Sequence, residues 1–356
     1  MKKLAKWAGL LALGAAPAFG QTSVVTHWEL QSVNSTGYTA WAQSYPFAIR
    51  GVIVNDPEEM LDPTYRPDAT MPSNGGQYQT FIQAAGSGDR GGTALYMSQM
   101  SYLGDNYDEP GWSNEMQRVM FAGNGRKFRK GDLVEVTARR TLFYGGKRNV
   151  NEAHLTTPSN DFDVVLVLAN VGLPQAEALT LADLVDTNGV QIFDATRATG
   201  GEHWQGMRVR LDGIRLATTN GWGKTNWSDR ICTAADAAGR MFRLRMPLTN
   251  LGAPPATTTV FSATGILNQE SESSSVGTNG YELFVQEIGP VLDVGPGAAG
   301  GAAVSFSSDY AGYVVQYSDD GLGTWTDLDV TPRMKVVVED DGGAASRVYR
   351  LIKKDE

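Results

Sequence analysis

The chain has 356 residues, enough for two or three domains, and 42% of them are hydrophobic, enough to fill packed cores. Charged residues make up only 19% and Gly contributes 41 positions, a composition that fits an all-β protein better than a helical one. A formal net charge of -9 excludes a general attraction to nucleic acid or anionic membrane, so any such attraction must be local.

The first twenty residues read as an export signal. Lys2, Lys3 and Lys6 precede an apolar run over 7–16, and Ala18-Phe19-Gly20 places small residues at a cleavage site before Gln21. Export to the periplasm, cell surface or medium is the expectation. No Cys follows the run, so a lipid-anchored leader is not expected. No later stretch reaches about 18 apolar residues, so no membrane insertion is expected. Residues 21–46 read as an N-terminal segment.

From residue 47 onward, alternation and short β-rich runs dominate. "FAIRGVIVN" (47–55) predicts a strand that coils or bulges at Gly51. "QYQTFIQA" (77–84) predicts a second, with Tyr78, Thr80 and Ile82 on one side and Gln79, Phe81 and Gln83 on the other. "GSGDRGG" is a turn, and "TALYMSQ" (93–99) a third strand. Residues 131–141 predict a fourth, with Val134, Val136 and Ala138 inward, and "FDVVLVLA" (162–169) a fifth. Such a set over 47–172 fits a small closed barrel.

Residues 173–202 read as a linker with one helical turn at Leu181–Leu184. A second set follows over 203–294: "GMRVRLDGIRL" (206–216), "RMFRLRMPL" (240–248), "TTVFSATGILN" (258–268) and "GYELFVQEIGPVLDV" (280–294). "GPGAAGGAA" (295–303) reads as a flexible linker. Residues 304–356 carry two predicted hairpins, with a turn at Asp320-Gly321 and Trp325 filling a small core. The expected architecture is all-β: two OB-like small barrels followed by a small C-terminal β-sandwich-like module.

Gly51-Val52-Ile53, Phe81-Ile82-Gln83 and the run Gly131-Asp132-Leu133-Val134-Glu135-Val136-Thr137-Ala138 occur in the order of one family. With "HWQGMRVRL" (203–211), they resemble the tandem OB-fold modules of secreted bacterial proteins, including those that accompany extracellular nucleases of the endonuclease/exonuclease/phosphatase type. The resemblance covers roughly 47–294. Ala138 departs from the Gly usual at that place, which bears on how tightly the strand coils there. "WTDL" and "VYRLI" resemble small C-terminal β modules of large exported proteins of environmental bacteria.

Charge is segregated along the chain. Nine Lys or Arg fall between Arg118 and Arg148 against Asp132 and Glu135 alone, and no Lys or Arg occurs from Met246 to Pro296. OB-folds bind oligonucleotides and oligosaccharides on the face of their second and third strands. Single-strand binders add aromatic platforms to cationic grooves. Phe81, Tyr96, Phe143 and Tyr144, beside Arg139, Arg140, Lys147 and Arg148, are the candidate ligand-binding set, facing single-stranded nucleic acid or polysaccharide. The plain alternative is that the aromatics pack the barrel end and the basic residues form a solvated strand edge.

Catalytic signatures are missing. There is no Gly-x-Ser-x-Gly elbow and no Asp-His pair of the nuclease kind. Cys232 is the only cysteine, which rules out an internal disulfide, and it reads as a small buried hydrophobe. "SDDG" (318–321) and "EDDGG" (339–343) lack calcium-loop spacing and read as turns. No catalytic residue, cofactor or metal is expected. The expected role is that of an exported non-catalytic binding or scaffold protein, whose partners include other exported or cell-surface proteins. An accessory single-strand binder for a separate nuclease, and a hydrolase with an unrecognised site, are the alternatives.

Overall fold

The computed structural model describes residues 23–42, 44–100, 106–151, 161–271 and 277–291, and short segments between 293 and 353; the expected leader lies outside them. The N-terminal sheet begins with β1 (Ser23–Val24), which pairs in parallel with β2 (Phe47–Ile53). Between them α1 (His27–Leu30) starts at Thr26, whose hydroxyl accepts from the Glu29 amide while the Glu29 carboxylate accepts from the Thr26 amide. Leu30 enters the first core. The 21–46 segment is therefore part of the first unit.

After α2 (Pro57–Met60) come β3 (Gln77–Gln83) and β4 (Gly92–Ser98), an antiparallel pair in register from Gln77↔Ser98 to Gln83↔Gly92. Then follow α3 (Glu109–Met120), β5 (Leu133–Ala138), the hairpin β6 (Thr141–Tyr144) and β7 (Lys147–Asn151), and β8 (Asp163–Leu168). The sheet order is β6-β7-β4-β3-β2-β5-β8. Strand alternation sends Tyr78 and Ile82 of β3 inward to meet Val134, Val136 and Ala138 of β5 and Phe47 and Ile49 of β2. Helix α3 adds Trp112 and Val119 to the same core. It starts at Asp108, whose carboxylate accepts from the Gly111 amide at 2.8 Å, and Pro110 stands in the first turn.

This first sheet does not close as the sequence led us to expect. Strand β7 joins β4 in parallel at Leu95↔Val150 and Tyr96↔Asn151, but no ladder ties β6 or β7 to β5 among the described residues. The hairpin is instead held by the second unit. Gly145 and Gly146 both have positive φ, as a two-residue hairpin turn requires, and the Ser271 amide donates to the Gly145 carbonyl at 2.9 Å.

The second sheet closes. β9 (Glu177–Leu179), β10 (Arg208–Thr218), β11 (Ile231–Ala235), β12 (Met241–Arg245), β13 (Phe261–Gln269) and β14 (Tyr281–Pro290) form the order β11-β12-β14-β13-β10-β9, with β10 also paired to β11. Five strands thus make a closed OB-like barrel, in which the third and fifth, β12 and β14, run parallel. The device is the long β10. Its first half pairs with β13 and its last residues with β11, and the register breaks between Leu211 and Ile214, where Gly213 has a φ of +71°. A left-handed Gly lets one strand bend round the barrel and serve both neighbours.

The 173–202 segment, expected as a linker, belongs to this barrel. β9 pairs in parallel with β10, and Leu181, Leu184 and Val185 are buried in its core. Strand β11, unforeseen from sequence, brings the fully buried Cys232 and Ala234 into that core. Beyond it, β15 (Asp293–Pro296) and β16 (Ala302–Ser305) pair from Asp293↔Ser305 to Pro296↔Ala302, so the ends of the expected flexible linker 295–303 are strand residues. With β17 (Tyr313–Ser318), β18 (Thr326–Asp327), β19 (Val336–Val337) and β20 (Val348–Lys353), the C-terminal part holds two three-stranded sheets.

The two barrel units meet along a continuous seam. Val54, Phe81 and Ala94 of the first pack against Ile266 and Phe284 of the second. The Gly92 amide donates to the Gln205 carbonyl at 2.9 Å, and Leu248 donates to Glu59 at 2.9 Å. The Arg90 guanidinium holds Glu177 with two hydrogen bonds, at 2.9 and 2.8 Å.

Candidate ligand cleft between the barrels

Counted from β2, strands β3 and β4 are the second and third of the first unit, and their outer face is where OB-folds take ligands. The part of that face near Phe81 and Ala94 is covered by β13 and β14. The part near Gln77, Gln79 and Tyr96 stays open as a cavity of about 220 Å³. Its walls are the loop after β2 (Leu61, Pro72, Ser73) and the β6–β7 hairpin. Lys147, Asn149 and Asn151 line it from β7, because positions two apart on a strand share a face. Trp227 and Glu270, from the second barrel, form the far side. A second cavity of about 640 Å³ adjoins it, and the two share Leu61, Ser73, Gln77 and Trp227.

The polar groups in the smaller cavity are held in definite places. The Gln77 amide nitrogen donates to the Tyr96 hydroxyl at 2.8 Å. The Lys147 ammonium donates to the Gln269 carbonyl at 2.7 Å and to the Glu270 carboxylate at 2.6 Å. Gln79 and Asn149 are 4% and 6% exposed, yet Gln79 Oε1 and Asn149 Oδ1 have no hydrogen-bond partner in the protein. A buried amide oxygen left unmatched costs about 1–3 kcal/mol, so a ligand donor that reached either atom would relieve a cost the empty protein bears.

Trp227 is anchored from beneath. The Arg245 guanidinium lies 3.9 Å from the indole centroid and donates to the Trp227 carbonyl at 2.6 Å. Arg245 is itself paired with the fully buried Glu282 at 2.6 and 2.9 Å. Arg230 lies 5.2 Å from the same ring and donates to the carbonyls of Met246 and Met60. Burial, and after it the charge of Arg245, pulls Arg230 down to about 10.

The eight expected site residues do not share one surface, and Phe143 is half-buried with its ring toward Arg148. Tyr96, Tyr144 and Lys147 line the cavity. Phe81 is 1% exposed in the seam core and offers no stacking face. Arg139 is tied to the Asp163 carboxylate and the Asp161 carbonyl, each at 2.5 Å, while Arg140 is exposed. Arg148 is 1% exposed, lies 5.1 Å from the Trp41 ring and 5.8 Å from the Phe143 ring, and donates to Thr39 and Thr141; burial lowers its pKa. Arg139 and Lys147 are ion-paired and Arg148 is buried, which leaves Arg140 as the exposed cation of the expected set.

Sequence reasoning missed Gln77, Gln79, Asn149 and Asn151, although polar residues spaced by two on a strand are a legible sign of a polar face. Trp227 and Glu270 carry no local sign, since only the packing of one barrel on the other brings them here. Among the described residues no group of three or more His, Cys, Asp or Glu is placed to hold a metal ion, and no helix is long and apolar enough to cross a membrane.

No protein-family model and no curated protein matches the chain. Among solved structures it is similar to a replication protein A heterotrimer bound to single-stranded DNA, at 9% identity, over 76% of this chain and 70% of that one, with a TM-score of 0.21. A likeness that slight carries no argument about the cleft. The chain's own strand order is what makes it an all-β protein with OB-like barrels.

Proposed function

We propose that the chain is an exported, non-catalytic binding protein that seats its ligand in the cleft between the barrels. One observation carries the binding reading. The open part of the β3–β4 face is walled by both barrels and lined by Tyr96, Tyr144 and Trp227 together with side-chain amides. Export rests on the leader-like residues 1–20, and the non-catalytic character on the missing nucleophile and metal signatures in the sequence.

The test uses the full mature chain and a blocking variant. Ser73 is exposed at the rim shared by both cavities, so Ser73→Trp fills the cleft without touching a core. Binding to an array of glycans and single-stranded oligonucleotides is expected for the unaltered chain and is lost in Ser73→Trp, with a melting temperature within about 2 °C. Unchanged binding in the variant would move the site elsewhere. Turnover of a bound polymer would replace the binding reading with an enzymatic one.

A further inference from the structure

We infer that the cleft is built for a neutral oligosaccharide, one end of which sits in the smaller cavity while the chain continues past Trp227 into the larger one. The inference rests on the binding reading above and adds the ligand class. Three features of the site lead to it.

The first is charge. Three cations (Lys147, Arg66 and Arg230) and three carboxylates (Glu270, Glu58 and Asp62) line the two cavities. Each cation is already engaged: Lys147 by Glu270, Arg66 by Asp62, and Arg230 by two carbonyls. A polyphosphate entering here would find only Arg230 without a carboxylate partner, and that side chain is 1% exposed; it would also lie close to Glu270 and Asp62. Phosphate contacts to Lys and Arg supply most of the affinity of sequence-tolerant nucleic-acid binding, and the lining withholds them.

The second feature is the pair of unmatched amides. Gln79 Oε1 and Asn149 Oδ1 are acceptors more than nine-tenths buried, on adjoining walls of the smaller cavity. A hydroxyl both donates and accepts, so neighbouring hydroxyls of one sugar ring satisfy such acceptors while receiving bonds from amide nitrogens. The third feature is the aromatic lining. Tyr144 is 49% exposed, and Trp227 borders both cavities. The C–H face of a pyranose packs on such rings, and an open cleft of two joined cavities admits a polymer rather than a single small molecule.

The same amides provide a test that separates binding from folding. Gln79→Leu and Asn149→Leu remove a buried unmatched oxygen from the empty protein, so the melting temperature is expected to hold or rise. Oligosaccharide affinity is expected to fall roughly tenfold or more in each, because the ligand loses the bond made there. Tyr144→Ala, at an exposed position, is a second variant whose folding is not at issue, and it too is expected to weaken binding.

The probes are the neutral hexaoses of glucose, mannose, xylose and N-acetylglucosamine, an oligogalacturonate and an oligothymidylate. Titration calorimetry would read each from about 0.05 to about 0.2 M salt. Support is binding of a neutral hexaose that is insensitive to salt and lost in the leucine variants. Binding of oligothymidylate with a steep salt dependence, weakened by the same variants, would leave the cleft as the site and overturn the saccharide assignment. Preference for oligogalacturonate would do the same. Hexaose binding untouched by the leucine variants and by Ser73→Trp would overturn the binding reading and this inference together, as would a failure of all probes to bind.

Discussion

Lys147 and Arg148 are neighbours in sequence, yet their side chains leave opposite faces of β7. Lys147 joins the second barrel through Glu270, and Arg148 lies inside the first unit beside Trp41 and Phe143. Truncating either one removes a buried charge from partners that remain. Lys147→Ser and Arg148→Ser are each expected to lose on the order of 3 kcal/mol in urea unfolding. Arg140→Ser, at an exposed position, is expected to stay within about 0.5 kcal/mol. Equal effects at all three positions would contradict these placements. The alternation was legible in "KRNVN", but not what each face would meet. Of the candidate residues, Tyr96, Tyr144 and Lys147 border the cavity and Arg140 is exposed. Phe81 and Arg148 were absorbed by packing partners distant in the chain.

At the scale of elements, the barrels come into backbone contact. The start of β4 meets the turn before β10, and a Cβ at Gly92 would overlap the carbonyl of Gly206, while Gly206 itself has a φ of +72°. Gly92→Ala is therefore expected to cost more than about 2 kcal/mol, since neither backbone can yield without breaking the Gly92–Gln205 hydrogen bond. Urea unfolding beside Gly86→Ala, whose added methyl would meet open space, is the measurement; similar stability of the two variants would show that the seam is loose. The mid-strand Gly51 was legible as a special place, and it lies close to the Gln83 carbonyl and Ile82. Strand β11 was not legible, because "ICTAA" is short and its inward residues, Cys232 and Ala234, are small. Strand β9 was hidden for a related reason: three residues become a strand only when β10 supplies the hydrogen bonds.

At the scale of the whole molecule, a buried polar cluster near the seam links stability to pH. Burial raises the Glu202 carboxyl from 4.5 to about 7, although the Tyr281 hydroxyl donates to it at 2.7 Å. Burial also lowers His27 from 6.5 to about 4, with Asp89 opposing. Between pH 4.5 and 7 the folded chain keeps a proton on Glu202 that the unfolded chain has lost, so this group's contribution to stability falls as pH rises. His27 does the reverse. The folded chain refuses a proton between pH 6.5 and 4, and that contribution is lost as pH falls. The two slopes overlap and oppose each other. Glu202→Gln keeps an acceptor for Tyr281 and removes one slope. Its stability relative to the parent is expected to grow by on the order of 3 kcal/mol from pH 4.5 to pH 7 and to stay level above that. A difference independent of pH in denaturation series would show that Glu202 is not buried as a neutral acid.

The sequence by itself determined the all-β class, the two successive strand sets and the inward residues of most strands. Alternation with period two is a local property, and burial enforces it wherever a sheet has one core face. Tertiary structure alone decided which sheet closed, because closure of the second depends on β10 bending at Gly213 to serve two partners, while the β6–β7 hairpin of the first bonds to the second barrel. It also decided the cleft. Gln79 and Asn149 come from one barrel and Trp227 and Glu270 from the other, and a site made where two folded units meet has no signature in any single stretch of chain.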